Sequence, residues 1–289
     1  MARNIIYLIN PISGTHGKSS LREMISQKTS ERRIGYSILP TNKEGDYAFL
    51  RGLIKQDGVT DVVVCGGDGT VNAVAAALMG VPVNIGIIPM GSGNGLALTA
   101  GISRKAAKAL EVIFAGKASF IDGFYINDQF SCMLCGIGFD ALVAHEFAIQ
   151  KRRGLQTYIR VSLVNFFKAR PYTFRIHMPD LSIDAKAYFI SIANSNQFGN
   201  NFTIAPRARL NDGLLDIVIV KKMSKFRLPF SVLSQISGSR SRDILYYQVP
   251  GLTIENPEQA PLHIDGDPKE TAPEFRIRVL PQALKLLQP

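Results

Sequence analysis

Through the first 120 residues, short apolar runs alternate with longer, half-apolar stretches. The runs at 5–9 (IIYLI), 34–39 (IGYSIL), 62–65 (VVVC) and 83–89 (VNIGIIP) read as strands, the third with the β-branched composition of a strand buried on both faces. Helix-like segments are expected at 19–29, 43–56, 70–79 and 103–115. Strand and helix in turn predict an α/β domain: an open parallel sheet with helices on both faces, binding ligands at the carboxyl ends of its strands. Every polar or glycine-rich segment of this half follows a strand: 10–17 the first, Thr41 the second, 66–70 the third, 91–95 the fourth. They are expected to converge on one crevice.

From about Phe120 the runs shorten and alternate with turn signals, as in FIDGFYIND, FSCMLCGIGF, YTFRIHMPD, KAYFISIAN, LLDIVIV and FRIRVL. This predicts an all-β, sandwich-like domain, with helical insertions near 140–169 and 224–237 and a hairpin turn at 126–128 (IND). The organisation expected is a first domain over 1–120, a second over 121–280, and a tail, 281–289, that packs back on the first. A chain of 289 residues with 46% hydrophobic content has the material for two cores sharing a cleft.

Three cysteines in a long chain without a secretory leader point to reduced thiols and a cytoplasmic setting. Cys132 and Cys135 form a CxxC within an apolar strand-like run, with no second pair or nearby histidine to complete a metal site. No stretch approaches the roughly 18 apolar residues of a spanning helix, so a soluble or peripheral protein is expected. The net charge is +10, and the segment 151–243 alone holds 16 basic and 5 acidic residues, a net of +11. KRRG at 151–154 and KKMSKFR at 221–227 are its densest parts. A solvated basic face, a surface for anionic lipid headgroups and a nucleic-acid footprint compete for it. The absence of tryptophan and of any nucleic-acid motif argues against the last.

The candidate chemistry begins where VVVC stops in Gly66, Gly67, Asp68, Gly69 and Thr70. Three glycines bring backbone N–H groups close to a ligand, and the helix behind them aims its positive end at the same place. A carboxylate beside phosphates needs a cation or an abstracted proton between them, so Asp68 implies Mg²⁺ handling or general base work. A tight turn with Asp68 or Thr70 as helix cap is the competing reading. Upstream, the segment from Asn10 and Pro11 to Lys18 resembles a Walker A loop, but Ile12 stands where that loop needs its first glycine. Ser13, Gly14 and their amides are the better phosphate ligands there, and His16 is given no role. A second glycine-rich turn, Gly91, Ser92, Gly93, Asn94 and Gly95, lies one strand on, and the two turns are expected to form opposing walls around a nucleotide. Late in the chain, His263-Ile264-Asp265-Gly266-Asp267 sets two carboxylates around a glycine at a strand end, an arrangement common in plain turns. Facing a nucleotide, such a carboxylate could take the proton of an acceptor hydroxyl.

NPxSG, GGDGT, PxGSGN and a late DGD turn, in this order, resemble the diacylglycerol kinase catalytic-domain family, which includes bacterial soluble lipid kinases, sphingosine kinases and ceramide kinases. The likeness runs over nearly the whole chain. It implies an ATP- and Mg²⁺-dependent lipid kinase with a nucleotide domain and a β-sandwich lipid domain. Asn10, Pro11, Ser13, Gly14, Thr41, Gly66, Gly67, Asp68, Gly69, Thr70, Ser92, Gly93 and Asn94 would then contact ATP. Asp68, Asp267 and Asp265 would be the catalytic carboxylates, Asp267 standing where the family has glutamate. The resemblance further implies a lipid-binding role for Asp140, a place near the metal network for Asp122, and a structural Mg²⁺ on Asp212 of the NDGLLD loop. Turn or capping duty is the alternative for these three. Gly95 replaces the aspartate of the bacterial GTxND motif, a version closer to the sphingosine kinases.

The activity so implied is γ-phosphoryl transfer to the hydroxyl of diacylglycerol or a sphingoid-type lipid, at an anionic membrane surface reached from the cytoplasm. The rival enzyme is an NAD kinase, which also uses GGDGT; a catalytically silent lipid or nucleotide sensor is the rival from another class.

Overall fold

The structure is a computed structural model and describes residues 3–9, 18–42, 44–150, 155–199, 202–224 and 242–289. Asn10, Pro11, Ser13, Gly14 and His16 therefore lie outside the described residues. So do KRRG at 151–154, the last three residues of KKMSKFR, and all but the first position of the helix expected at 224–237.

The chain divides into two compact units, Met1–Ile121 with Gln282–Pro289, and Asp122–Pro281. In the first, β1 (Asn4–Ile9), α1 (Lys18–Glu31), β2 (Gly35–Pro40), α2 (Leu50–Asp57), β3 (Asp61–Gly66), α3 (Asp68–Leu78), β4 (Asn84–Pro89), α4 (Gly95–Thr99) and α5 (Ala106–Ala115) follow one another. The strands lie parallel in the order β2-β1-β3-β4. All of β3 and nearly all of β4 are buried, as their unbroken apolar runs require. Helix α1 packs on α5 and α2 on α3, giving the sheet a helical layer on each face. The ends register together, Ile9 beside Pro40 and Cys65, and Gly66 beside Pro89. Every loop that leaves them starts from one edge.

Three boundaries differ from the sequence reading. Helix α2 starts at Leu50 and not near 43, because Gly45 takes a positive φ of 74° and Asp46 turns the chain by accepting the N–H of Ala48. Helix α5 starts at Ala106 and not at 103, where Ser103 Oγ accepts the N–H of Lys105. Helix α3 begins two residues early, so Asp68, Gly69 and Thr70 belong to its first turn and not to a loop.

The second unit is antiparallel. Its elements begin within β5 (Ala118–Ile126) and continue through β6 (Gln129–Ser131), β7 (Leu134–Gly138), α6 (Phe139–Ala148), α7 (Leu155–Lys168), β8 (Tyr172–Met178), β9 (Leu181–Ala193) and the ribbon β10 (Gln197–Gly199) and β11 (Phe202–Thr203). They end with β12 (Leu215–Lys221), β13 (Ile244–Val249), β14 (Gly251–Glu255), β15 (Leu262–Ile264), β16 (Asp267–Lys269) and β17 (Glu274–Leu287). β9 is the hub and pairs with β7, β8 and β12. Along β12 the period of two divides the side chains: Leu215, Ile217 and Ile219 enter one core with Phe174, Ile190 and Ile254, and Val218 and Val220 enter another with Phe189 and Ile244. β17 serves both units: Glu274 to Arg278 pair with β14, and Lys285 and Leu286 pair with β4. Cys132 and Cys135 are fully buried free thiols in this unit. Burial raises the Cys135 thiol pKa, and the nearby carboxylates of Asp265 and Asp140 raise it further; both cysteines belong to the buried core.

Candidate active site

In the first unit, Gly67 is an extended N-cap, and α3 makes its first backbone bond from the N–H of Val71 to the carbonyl of Gly67. The N–H groups of Asp68, Gly69 and Thr70 precede that bond and have no partner within the helix. Gly67 also touches the neighbouring turn. A Cβ on Gly91 would lie 2.6 Å from the Gly67 Cα, and one on Gly67 would lie 3.1 Å from the Gly91 Cα. The two glycine-rich turns thus meet backbone to backbone and are not opposing walls with a nucleotide between them.

Asn94 closes the second turn upon itself. It sits in the left-handed region (φ 58°), 4% exposed, with Oδ1 accepting the N–H of Gly91 at 2.8 Å and Nδ2 donating to its carbonyl at 2.7 Å. Ser92 is exposed at the tip. Asp68 faces the second turn from α3, and the backbone amides of Gly95, Asn94 and Leu96 favour its ionised form. Burial pushes its carboxyl above the ordinary value, against these three amides and the Arg104 guanidinium. Arg104 itself donates to the Gly93 carbonyl at 3.1 Å. Asp68 therefore faces the start of α4 from the first turn of α3. Thr41 adjoins the same sheet edge: it is 7% exposed and donates its N–H to the Ile9 carbonyl at 3.1 Å.

In the second unit, Asp265 and Gly266 are the two central residues of a tight hairpin between β15 and β16, with φ of 53° and 83°. Positive φ at both positions is what a type I′ turn demands, and Asp-Gly supplies it. Asp265 faces inward, Oδ1 accepting Ser131 Oγ at 2.7 Å and the Leu134 N–H at 3.1 Å. Asp267, at the start of β16, is exposed. Its carboxylate is the accessible one of the pair.

Asp122 lies in the middle of β5 and does not open the strand; it is 2% exposed. Its Oδ2 accepts the Gly213 N–H at 2.7 Å, and Asp212 Oδ1 accepts the Leu214 N–H at 3.1 Å. These two aspartates meet at the NDGLLD loop, where each spends an oxygen on the backbone. Asp216, the last residue of that motif and the second of β12, is fully buried; Tyr246 donates to Oδ1, and Oδ2 has no hydrogen bond. Among the described residues, no three His, Cys, Asp or Glu side chains converge as a metal cage. What is present instead suits a cation that brings its own oxygens: single carboxylates, such as Asp68, beside backbone that can approach phosphate. Mg²⁺ on a nucleotide is of that kind.

Asp140 opens α6 and is 7% exposed, with Oδ1 accepting the Ala141 N–H at 2.8 Å and Oδ2 3.4 Å from His263 Nε2. His263 and Arg104 are the residues that motif reading passes over. For His263 the signal is a polar side chain inside the apolar run that leads into the DGD turn; Arg104 lies beyond every motif.

Residues 4–126 match the model of the diacylglycerol kinase catalytic domain, and residues 134–288 that of the YegS C-terminal NAD kinase beta sandwich-like domain. The chain belongs to the diacylglycerol kinase catalytic-domain family. It is a kinase. A protein named probable lipid kinase YegS-like from Pectobacterium atrosepticum is 30% identical over 98% of this chain and 96% of its own. Another of the same name, from Chromohalobacter salexigens, is 28% identical over 95% and 91%. The fold is shared with solved structures from Bacillus anthracis str. Sterne: one chain superposes with a TM-score of 0.83 at 21% identity, covering 99% of this chain and 98% of its own. A diacylglycerol kinase from the same organism gives 0.76 at 17% identity, covering 99% and 97%.

Proposed function

We propose that this kinase transfers the γ-phosphoryl group of ATP, with Mg²⁺, to the hydroxyl of a membrane lipid, either diacylglycerol or a sphingoid-type lipid. The observation that carries the reading is the joined pair of glycine-rich turns: the N–H groups of Asp68, Gly69 and Thr70 open an 11-residue helix directly beside the backbone of Gly91, a donor array suited to phosphate. The names of the relatives supply the acceptor class. Bound Mg²⁺ would neutralise charge on the transferring phosphate, with Asp68 as the carboxylate nearest to it. Asp267 takes the proton of the acceptor hydroxyl as the new O–P bond forms and the bond from the γ-phosphorus to ADP breaks. Arg104, exposed beside Gly93, adds positive charge at the phosphate end.

Among the described residues, no helix is long and apolar enough to cross a membrane. The basic excess of 151–243 supports peripheral docking on anionic bilayers from the cytoplasm.

The test is transfer from labelled ATP to diacylglycerol, monoacylglycerol, sphingoid base, ceramide and NAD⁺. A labelled phospholipid is expected. NADP⁺ as sole product would overturn the lipid assignment, and ATP binding without any labelled acceptor would favour a sensor. Binding to anionic liposomes should weaken as salt rises; salt-independent binding would count against electrostatic docking.

A further inference from the structure

The hairpin that carries Asp265 and Asp267 is braced by two buried groups. His263, in β15, is 3% exposed and lies opposite Gly136 of β7. Its Nδ1 accepts the Gly266 N–H at 3.2 Å, at the tip of the turn. An accepting Nδ1 leaves the proton of the neutral ring on Nε2. That nitrogen is the one 3.4 Å from Asp140 Oδ2. Space for the pair is reserved by the backbone opposite: a Cβ on Gly136 would stand 1.9 Å from Asp140 Oδ2 and 2.5 Å from His263 Nε2. One imidazole thus bonds the turn tip and stands in contact with the first turn of α6, where Asp140 Oδ2 accepts no hydrogen bond, and any side chain on β7 at this point would part them.

We infer that His263 is a positioning residue for phosphoryl transfer, holding the Asp265–Gly266 turn against Asp140 and so setting the direction of the Asp267 carboxylate. The inference rests on the lipid kinase reading and deepens it. Around the ring stand Asp140 and His145 of α6, Cys135 of β7 and Asp265 of the turn itself. His145 Nε2 is engaged with the Leu262 carbonyl at 2.8 Å, and Asp265 Oδ1 with Ser131 and Leu134.

Two variants separate positioning from packing. His263→Leu keeps bulk and removes both nitrogens; His263→Asn keeps an acceptor near the place of Nδ1. Steady-state kinetics would be taken beside thermal melts and amide hydrogen exchange at Gly266. His263→Leu is expected to lower kcat by up to about 10²-fold, the scale of a small misplacement of a reacting group, with KM for ATP unchanged and Gly266 exchange accelerated. His263→Asn is expected to recover most of kcat. The inference is overturned if His263→Leu keeps its kcat, if His263→Asn is no better than His263→Leu, or if the loss follows the melting curve alone. Should the parent chain phosphorylate no lipid, the failure lies with the function. Gly266 exchange then still decides about His263, and unaltered exchange in His263→Leu overturns the bracing.

Discussion

Gly67 and Gly91 meet without side chains: a methyl group added to Gly91 would stand 2.6 Å from the Cα of Gly67 and 3.0 Å from Asn94 Oδ1. Neither obstacle is the far end of a flexible side chain, since one is backbone and the other is fixed by two bonds to Gly91 itself. Gly91→Ala must therefore separate the two turns. The expected cost is that of an overpacked site, about 1–3 kcal/mol, together with a loss of ATP affinity larger than the loss of stability would explain. Chemical unfolding and nucleotide titration on the same preparation check this. Gly213→Ala, at a glycine with nothing within 4 Å of the added Cβ, is the control for backbone strain alone, since its φ is 72°.

Asp68→Asn is expected to abolish transfer and to lower stability as well. The carboxylate faces the amides of Gly95, Asn94 and Leu96 at the start of α4, and the carboxamide that replaces it turns N–H groups toward them on one side. The stability loss should be about 1–3 kcal/mol. Turnover near the parent level would remove Asp68 from the chemistry. A melting temperature equal to the parent's would contradict its place beside these amides.

The strands of the first unit were legible because burial on both faces leaves unbroken apolar runs; 62–65 reads as a strand, and β3 is fully buried. The helices were legible to within a turn, except where a local polar group intervened: Gly45 and Asp46 before α2, Ser103 before α5, and the left-handed Asn94 that allows α4 to start. Period-two alternation exposed the β unit, and the Asp265–Gly266 turn is stated outright by its two residues. Contacts that join distant segments left no such trace. Nothing local says that Gly67 abuts Gly91, that Asp68 faces the start of a helix one strand away, or that His263 finds Asp140. Each depends on strand registry, β3 beside β4 and β15 beside β7, and registry is set by the whole sheet.

The two carboxylates of the DGD turn are expected to part company under mutation. Asp265 is hydrogen-bonded to Ser131 and the Leu134 amide, and Asp267 is exposed. Asp265→Asn should destabilise the second unit by about 1–3 kcal/mol, its activity falling with it. Asp267→Asn should leave the melt unchanged and lower kcat by on the order of 10²-fold, the lower range for loss of a general base. Asp267→Glu, which restores the missing methylene, should retain activity. Kinetics and calorimetry on the three variants check the division, and an Asp267→Asn enzyme as active as the parent would deny Asp267 the role of proton acceptor.

Asp216 gives the stability of the second unit a pH dependence of predictable sign. Burial raises its carboxyl from 3.8 to about 6; the hydrogen bond from Tyr246, the neighbouring Gln248 amide and the charge of Arg207 pull the other way, and Asp212 adds to the rise. The folded state thus holds this proton more tightly than the unfolded chain. Between about pH 4 and 6 the folded form binds more protons, so stability falls as pH rises through that window and levels off above it. Asp216→Asn cannot titrate and should lack this component. In metal-free buffer, urea unfolding at intervals through the window should show the parent losing stability relative to Asp216→Asn as pH increases. A difference that stays constant across the window, or that grows in favour of the parent, would mean that the buried carboxylate is ionised at no cost, held by a partner that Tyr246 and Gln248 do not supply.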